Sequence, residues 1–201
     1  GGWLVPWFDE AFGRIQADWT SRAGAFLLGR KTAEMFAASW PKSTDPEDVI
    51  AVALNTRPKY VASRRLDRLD WQNTAILDGD VVAAVQALKH GRAVPCKGAG
   101  RAAGAGAASV PARGEIQVHG SSDLLQTLLK HDLVDVLRIW QFPVVVGGGK
   151  RLFGTGALPR SFHLIEMEAN STGAILMVYQ RVGGLRYGEV EVGEEIKLFD
   201  P

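Results

Sequence analysis

Cysteine is nearly absent. The 201 residues hold one, Cys96, so the chain can build neither an intramolecular disulfide nor a cysteine-based zinc cluster. A reducing, cytoplasmic setting is the expectation. No run approaches the roughly 18 apolar residues that span a bilayer, and Gly1-Gly2-Trp3-Leu4-Val5-Pro6 has no basic region leading into an apolar stretch. Neither a membrane anchor nor a signal is expected. An excess of one charge sign is also missing, with 23 Lys and Arg against 22 Asp and Glu. That balance removes the general electrostatic reason to expect nucleic acid or an anionic membrane as partner. A small molecule is the expected partner. Apolar residues are plentiful at 46%, enough for a sizeable core in a single domain over 1–201.

Phe8, Phe12, Ile15 and Trp19 recur at spacings of four, three and four, which predicts a helix over about 8–22. Ala25-Phe26-Leu27-Leu28, stopped by Gly29, reads as a strand buried on both faces, and a helix follows over 31–39. Pro41 to Pro46 is a loop, Val49, Val52 and Ala53 predict a short helix, and Lys59 to Ala62 and Thr74 to Leu77 are strands. Asp78-Gly79-Asp80 opens a helix marked by Val81, Val82, Val85 and Leu88. Over 91–114, 14 of 24 residues are Gly or Ala without periodicity, so this stretch reads as a flexible insertion. Four basic and no acidic residues lie in it, leaving 19 basic against 22 acidic elsewhere.

Ile116 to Val118 is a strand, and Leu124, Leu125, Leu128 and Leu129 define a helix opened by Ser121-Ser122-Asp123, residues suited to an N-cap. The segments 136–142, 144–146, 161–167 and 174–180 then follow as strands without full helices between them. The tail 189–201 alternates acidic and apolar residues and fits an edge strand or a loose end. This order predicts a three-layer α-β-α domain around a mixed, mainly parallel sheet with an antiparallel C-terminal portion.

Three strand ends carry groups suited to a phosphate. Gly29-Arg30-Lys31-Thr32 lies where a strand hands over to a helix; Val61-Ala62-Ser63-Arg64-Arg65 ends the next strand; Val118-His119-Gly120-Ser121-Ser122-Asp123 is the third. Each alone reads equally as a turn or a cap, yet open α/β sheets bind ligands along this edge. Gly147-Gly148-Gly149-Lys150 is not a nucleotide-triphosphate loop, since Arg151 stands where a magnesium-binding hydroxyl is needed; its glycines let the backbone pass close to a ligand or a strand. Pro95-Cys96 lacks both the second cysteine and the His-x-Glu of a zinc deaminase. His90, His119, His131 and His163 show no ligand spacing, so no metal is expected.

These three strand ends, with the block from Leu133-Val134-Asp135 to Gly147-Gly148-Gly149-Lys150-Arg151-Leu152-Phe153, resemble the dihydrofolate reductase superfamily, in particular the riboflavin-biosynthesis reductase (RibD C-terminal) branch. The resemblance implies NADPH across the carboxyl edge of the sheet as hydride donor and a homodimeric assembly. It puts Gly29, Arg30 and Thr32 at the cofactor phosphates, Ser63 and Arg64 at the adenosine 2′-phosphate, Gly120, Ser121 and Ser122 at the pyrophosphate, and Gly148 and Gly149 beside the cofactor. It also implies an opening strand and loop ahead of Trp3. A proton donor is expected early on the first helix, where Asp9 stands; Asp9 serves equally well as that helix's cap. The expected activity is reduction of a small heterocyclic or carbonyl-type substrate. The alternatives are a non-catalytic nucleotide-binding or interaction module on the same fold, and a flavin-binding oxidoreductase.

Overall fold

The computed structural model describes residues 2–98, 107–108, 114–189 and 197–199. Helix α1 (Glu10–Ser21) leads through Arg22 into β1 (Ala23–Gly29), which is buried along both faces, as its unbroken apolar run predicts. Then come α2 (Arg30–Ser39), α3 (Val49–Thr56), β2 (Lys59–Ala62), β3 (Thr74–Leu77) and α4 (Val81–Lys89). Next are β4 (Val94–Lys97), β5 (Ala107–Ala108), β6 (Glu115–Gln117) and α5 (Ser122–Lys130). The chain ends in β7 (Val136–Gln141), β8 (Ser161–Ala169), β9 (Ile175–Gly183), β10 (Tyr187–Glu189) and β11 (Lys197–Phe199).

Six strands form one sheet in the order β5-β4-β3-β2-β1-β6. β3, β2, β1 and β6 run parallel, while β4 and β5 are antiparallel additions. A separate antiparallel sheet has the order β7-β9-β8. The fold is thus the expected mixed, mainly parallel α/β architecture with an antiparallel C-terminal portion. Ala25, Leu27, Tyr60 and Leu77 pack on one face of the large sheet against Ala84, Val85 and Leu88 of α4 and Leu124 and Leu128 of α5. On the other face, Phe26, Leu28, Val61 and Ile76 meet Ala33 of α2 and Ala53 and Leu54 of α3. Each fully buried Leu or Phe in these layers contributes about 1.5–3 kcal/mol. Ile15 and Trp19 of α1 cover Leu176 and Val178 of β9, which binds the small sheet to the body. The bidentate Arg138–Glu115 pair, both bonds 2.7 Å, ties β7 to β6.

Two expectations fail. Residues 144–146 form no strand: Val145 is 98% exposed, Val144 and Val146 are exposed too, and no strand pairs with them among the described residues. The stretch 91–114 contains strands, because Cys96 and Lys97 pair with Leu77 and Ile76, and Val94 and Pro95 with Ala108 and Ala107; its residues 99–106 and 109–113 lie outside the described residues. In the tail, β11 pairs with β10. No helix of the described residues is long and apolar enough to cross a membrane.

Lys59, 1% exposed, opens β2 with its ammonium donating to the carbonyls of Leu54 (2.7 Å) and Arg57 (2.8 Å) at the C-terminal end of α3. It also lies 4.5 Å over the Trp71 ring. Burial pushes its pKa down to about 7.

Candidate functional site

Parallel pairing sets the candidate residues side by side. Gly29 stands opposite Ala62, so Ser63 and Arg64 follow immediately beyond the end of β1's neighbour. β6 flanks β1 on the other side and delivers Gly120-Ser121-Ser122 to the same edge. The tie between the two is direct. The Ser121 hydroxyl accepts from the Gly29 N–H (2.7 Å) and donates to the Thr32 hydroxyl (2.8 Å). Ser121 therefore does not cap α5 with its side chain, contrary to the sequence expectation; it sits at N-cap in a left-handed conformation (φ 63°, ψ 58°) with its oxygen spent on β1 and α2. Gly120 before it is also left-handed (φ 64°), which a side chain would resist.

Helix capping differs sharply across the fold. Asp9 caps α1 through the Phe12 N–H, Asp48 caps α3 through those of Ile50 and Ala51, and Asp80 caps α4 through that of Ala83. At α2 and α5 the N-cap residues are Gly29 and Ser121, and neither makes a side-chain capping bond. The first-turn N–H groups of these two adjoining helices lack intrahelical partners, and no carboxylate cap occupies them. Together with the consecutive left-handed residues they make a cradle suited to a phosphate. Lys31, Arg64 and Arg65 are exposed around it and have no ion-pair partner among the described residues. This donor set fits the phosphates of a dinucleotide.

Other candidates are placed as follows. Arg30 points back along its own helix to Glu34 (2.9 and 3.1 Å). The Ser63 hydroxyl accepts from the Arg65 and Leu66 N–H groups (3.1 and 3.0 Å), making a local turn that presents Arg64. The Gly147–Gly149 loop is brought to α5 by Lys150, whose ammonium lies 2.5 Å from Asp123, and by Gln126, which donates to Leu152 O and accepts from Gly154 N–H (both 2.8 Å). Asp9 stands apart. Its carboxylate accepts from the Phe12 N–H (2.8 Å) and from the N–H and hydroxyl of Ser171 (3.0 and 2.7 Å). The Phe12 bond, followed by the Ser171 hydroxyl, holds its pKa below the usual carboxylate value. A carboxylate so engaged opposes the expected role of proton donor and has the role of cap.

The sequence reading did not identify a polar row that runs along β6 and just past its end. Glu115, Gln117 and His119 alternate with Ile116 and Val118, a period-two pattern visible in the sequence. Gln117 donates to Trp19 O (2.6 Å) and Glu115 (2.8 Å), and its oxygen lies 3.0 Å from His119 Nε2. The Arg138 fork lowers the pKa of Glu115; burial, then the Arg138 charge, lowers that of His119. A cavity of about 240 Å³, lined by Leu129, Asp132, Phe153, Arg160 and Arg181 among others, lies at the far end of α5 from this edge. No group of metal-ligating side chains occurs among the described residues.

Residues 111–176 match the family model of the RibD C-terminal domain. The chain is 27% identical over 179 residues to the uncharacterized protein YyaP of Bacillus subtilis (strain 168), covering 88% of this chain and 82% of that protein. Among solved structures it is similar to a putative riboflavin biosynthesis protein from Shewanella sp. PV-4, with TM-score 0.59 and 21% identity over 87% of this chain and 81% of the other. A pyrimidine reductase-like protein from Corynebacterium diphtheriae gives TM-score 0.50 and 13% identity, covering 88% and 83%. Residues 111–176 thus resemble the RibD C-terminal domain, and the two solved structures share this chain's fold.

Proposed function

We propose that this chain is an NADPH-dependent reductase of a small heterocyclic or carbonyl-type substrate, with the dinucleotide laid across the ends of β2, β1 and β6. The capping contrast carries the reading. Three helices begin on an aspartate that caps their first N–H groups, whereas the two that meet at Gly29 and Ser121 have no side-chain cap, and Asp123 in the first turn of α5 is turned to Lys150, which leaves those N–H groups for an anionic ligand.

NADPH bound there would supply the hydride; the chain's part is to hold and orient it. Backbone N–H groups of α2 and α5 take the phosphates, with Thr32 and Ser122 adding hydroxyls. Arg30 is held by Glu34, so Arg64, presented by the Ser63 turn, carries the preference for a 2′-phosphate. A charge-assisted contact of this kind contributes about 1.5–3 kcal/mol, or roughly one to two decades in affinity.

A non-catalytic nucleotide-binding module is the second reading, favoured by the engagement of Asp9 as a cap. NADPH oxidation with a panel of pterin, pyrimidine and quinone substrates separates the two. Turnover that weakens tenfold or more in Arg64→Ala supports the reductase; NADPH binding without turnover on any of the panel favours the module.

A further inference from the structure

The polar row along β6 and just past its end has one arrangement of hydrogens. Arg138 donates two bonds to Glu115 and keeps it ionised. The Gln117 amide nitrogen faces two groups that can only accept, the Trp19 carbonyl and the Glu115 carboxylate. Its oxygen is therefore the atom 3.0 Å from His119 Nε2, and since that oxygen only accepts, Nε2 carries the hydrogen. Burial and the Arg138 charge favour the neutral ring, which leaves Nδ1 with its lone pair. Nδ1 has no hydrogen-bond partner among the described residues, and it is not one of the sealed, unpartnered side-chain atoms, which are Tyr60 Oη, Trp140 Nε1 and Arg181 Nε. The ring is braced by Phe26, edge-on at 5.4 Å.

Its place along the edge gives this acceptor a use. A ligand running from Ser63 and Arg64 through Gly29 to Gly120-Ser121-Ser122 follows the order β2-β1-β6, so its far end lies at the end of β6, where His119 stands one residue before Gly120. The side chains of 115, 117 and 119 face α1 and α2, through Trp19 and Phe26, whereas Ile116 and Val118 pack under α4 and α5.

We propose that His119 recognises the nicotinamide end of the dinucleotide, its Nδ1 accepting a hydrogen bond from the carboxamide N–H, with Glu115 and Gln117 as positioning residues that fix the tautomer. The assignment rests on the NADPH reading above. It is tested by calorimetric titration of the full chain with NADP+ and with 3-acetylpyridine adenine dinucleotide phosphate, in which an acetyl group without N–H replaces the carboxamide. Wild type binds NADP+ roughly five- to tenfold more tightly than the analogue. In His119→Ala, and in His119→Phe, which keeps the packing on Phe26, the two ligands bind alike. By 15N NMR, the wild-type His119 ring shows the Nε2–H tautomer, and its Nδ1 resonance moves on adding NADP+ but not on adding the analogue. Equal affinities in wild type, or a preference that survives both substitutions, overturns the role of His119 while leaving the dinucleotide site standing. Failure of wild type to bind either ligand overturns the NADPH reading and this inference together.

Discussion

Gly29 and Ser121 are coupled through a single close approach. A Cβ added at Gly29 would lie 2.9 Å from Ser121 Oγ and 3.0 Å from Ser121 Cβ, tighter than side chains tolerate. The backbone at Gly29 (φ −78°, ψ 158°) suits any residue, so the folded-state cost of Gly29→Ala is steric and not a strained dihedral. Overpacking of this size costs about 1–3 kcal/mol. Ser121→Gly removes the bonds to the Gly29 N–H and Thr32, about 1 kcal/mol each, and recovers about 1 kcal/mol because glycine accepts the left-handed conformation. In the double variant the new methyl group enters the space Ser121 vacates, and the Gly→Ala change limits the unfolded chain by about 0.4–1 kcal/mol. The double variant should therefore be no less stable than Ser121→Gly alone, with a coupling of about 1–3 kcal/mol. Urea unfolding with unchanged m-values measures it. Additivity within about 0.5 kcal/mol would refute the contact as the bond between β1 and α5.

Lys59, at about 7 in the fold and near 10.5 when unfolded, binds fewer protons folded than unfolded between those values, so stability rises with pH across that window. From pH 7 to 9 wild type should gain about 2–3 kcal/mol relative to Lys59→Met; parallel profiles would contradict the buried ammonium. Glu115 has a depressed folded pKa, so its contribution is present above its unfolded value and lost as pH falls through the folded one. Arg138→Met should flatten that acid limb of the stability profile, and an unchanged limb would show that the fork does not hold the carboxylate. Asp9→Ala should destabilise the fold as a lost cap, whereas Asp9→Asn keeps the fold and any NADPH oxidation. A folded Asp9→Asn protein with no turnover would restore Asp9 as a proton donor.

Periodicity exposed what depends on local pattern. The spacing Phe8, Phe12, Ile15, Trp19 and the apolar run before Gly29 predict α1 and β1, because burial of one helix face or of both strand faces leaves its mark on every residue. Val144 to Val146 misled for the same reason in reverse. Three β-branched residues suit a strand, but strand formation needs a neighbour, and Pro143 and Gly147 bound a segment that has none among the described residues. β4 escaped notice because Val-Pro-Cys-Lys is too short for periodicity and lies beside Gly- and Ala-rich sequence. At the site, the three strand ends were legible because each couples a terminating strand to basic or hydroxyl residues. The use of the Ser121 hydroxyl was not, since its partners Gly29 and Thr32 are 92 and 89 residues away.

The most direct test of the account is a calorimetric titration of the chain with NADPH and, separately, NADH, beside Arg64→Ala. Micromolar NADPH binding, weaker by one to two decades for NADH and losing that preference in Arg64→Ala, is the predicted result. Equal binding of both dinucleotides, or binding of neither by folded protein, would contradict an edge built from α2, α5 and Arg64 to hold NADPH.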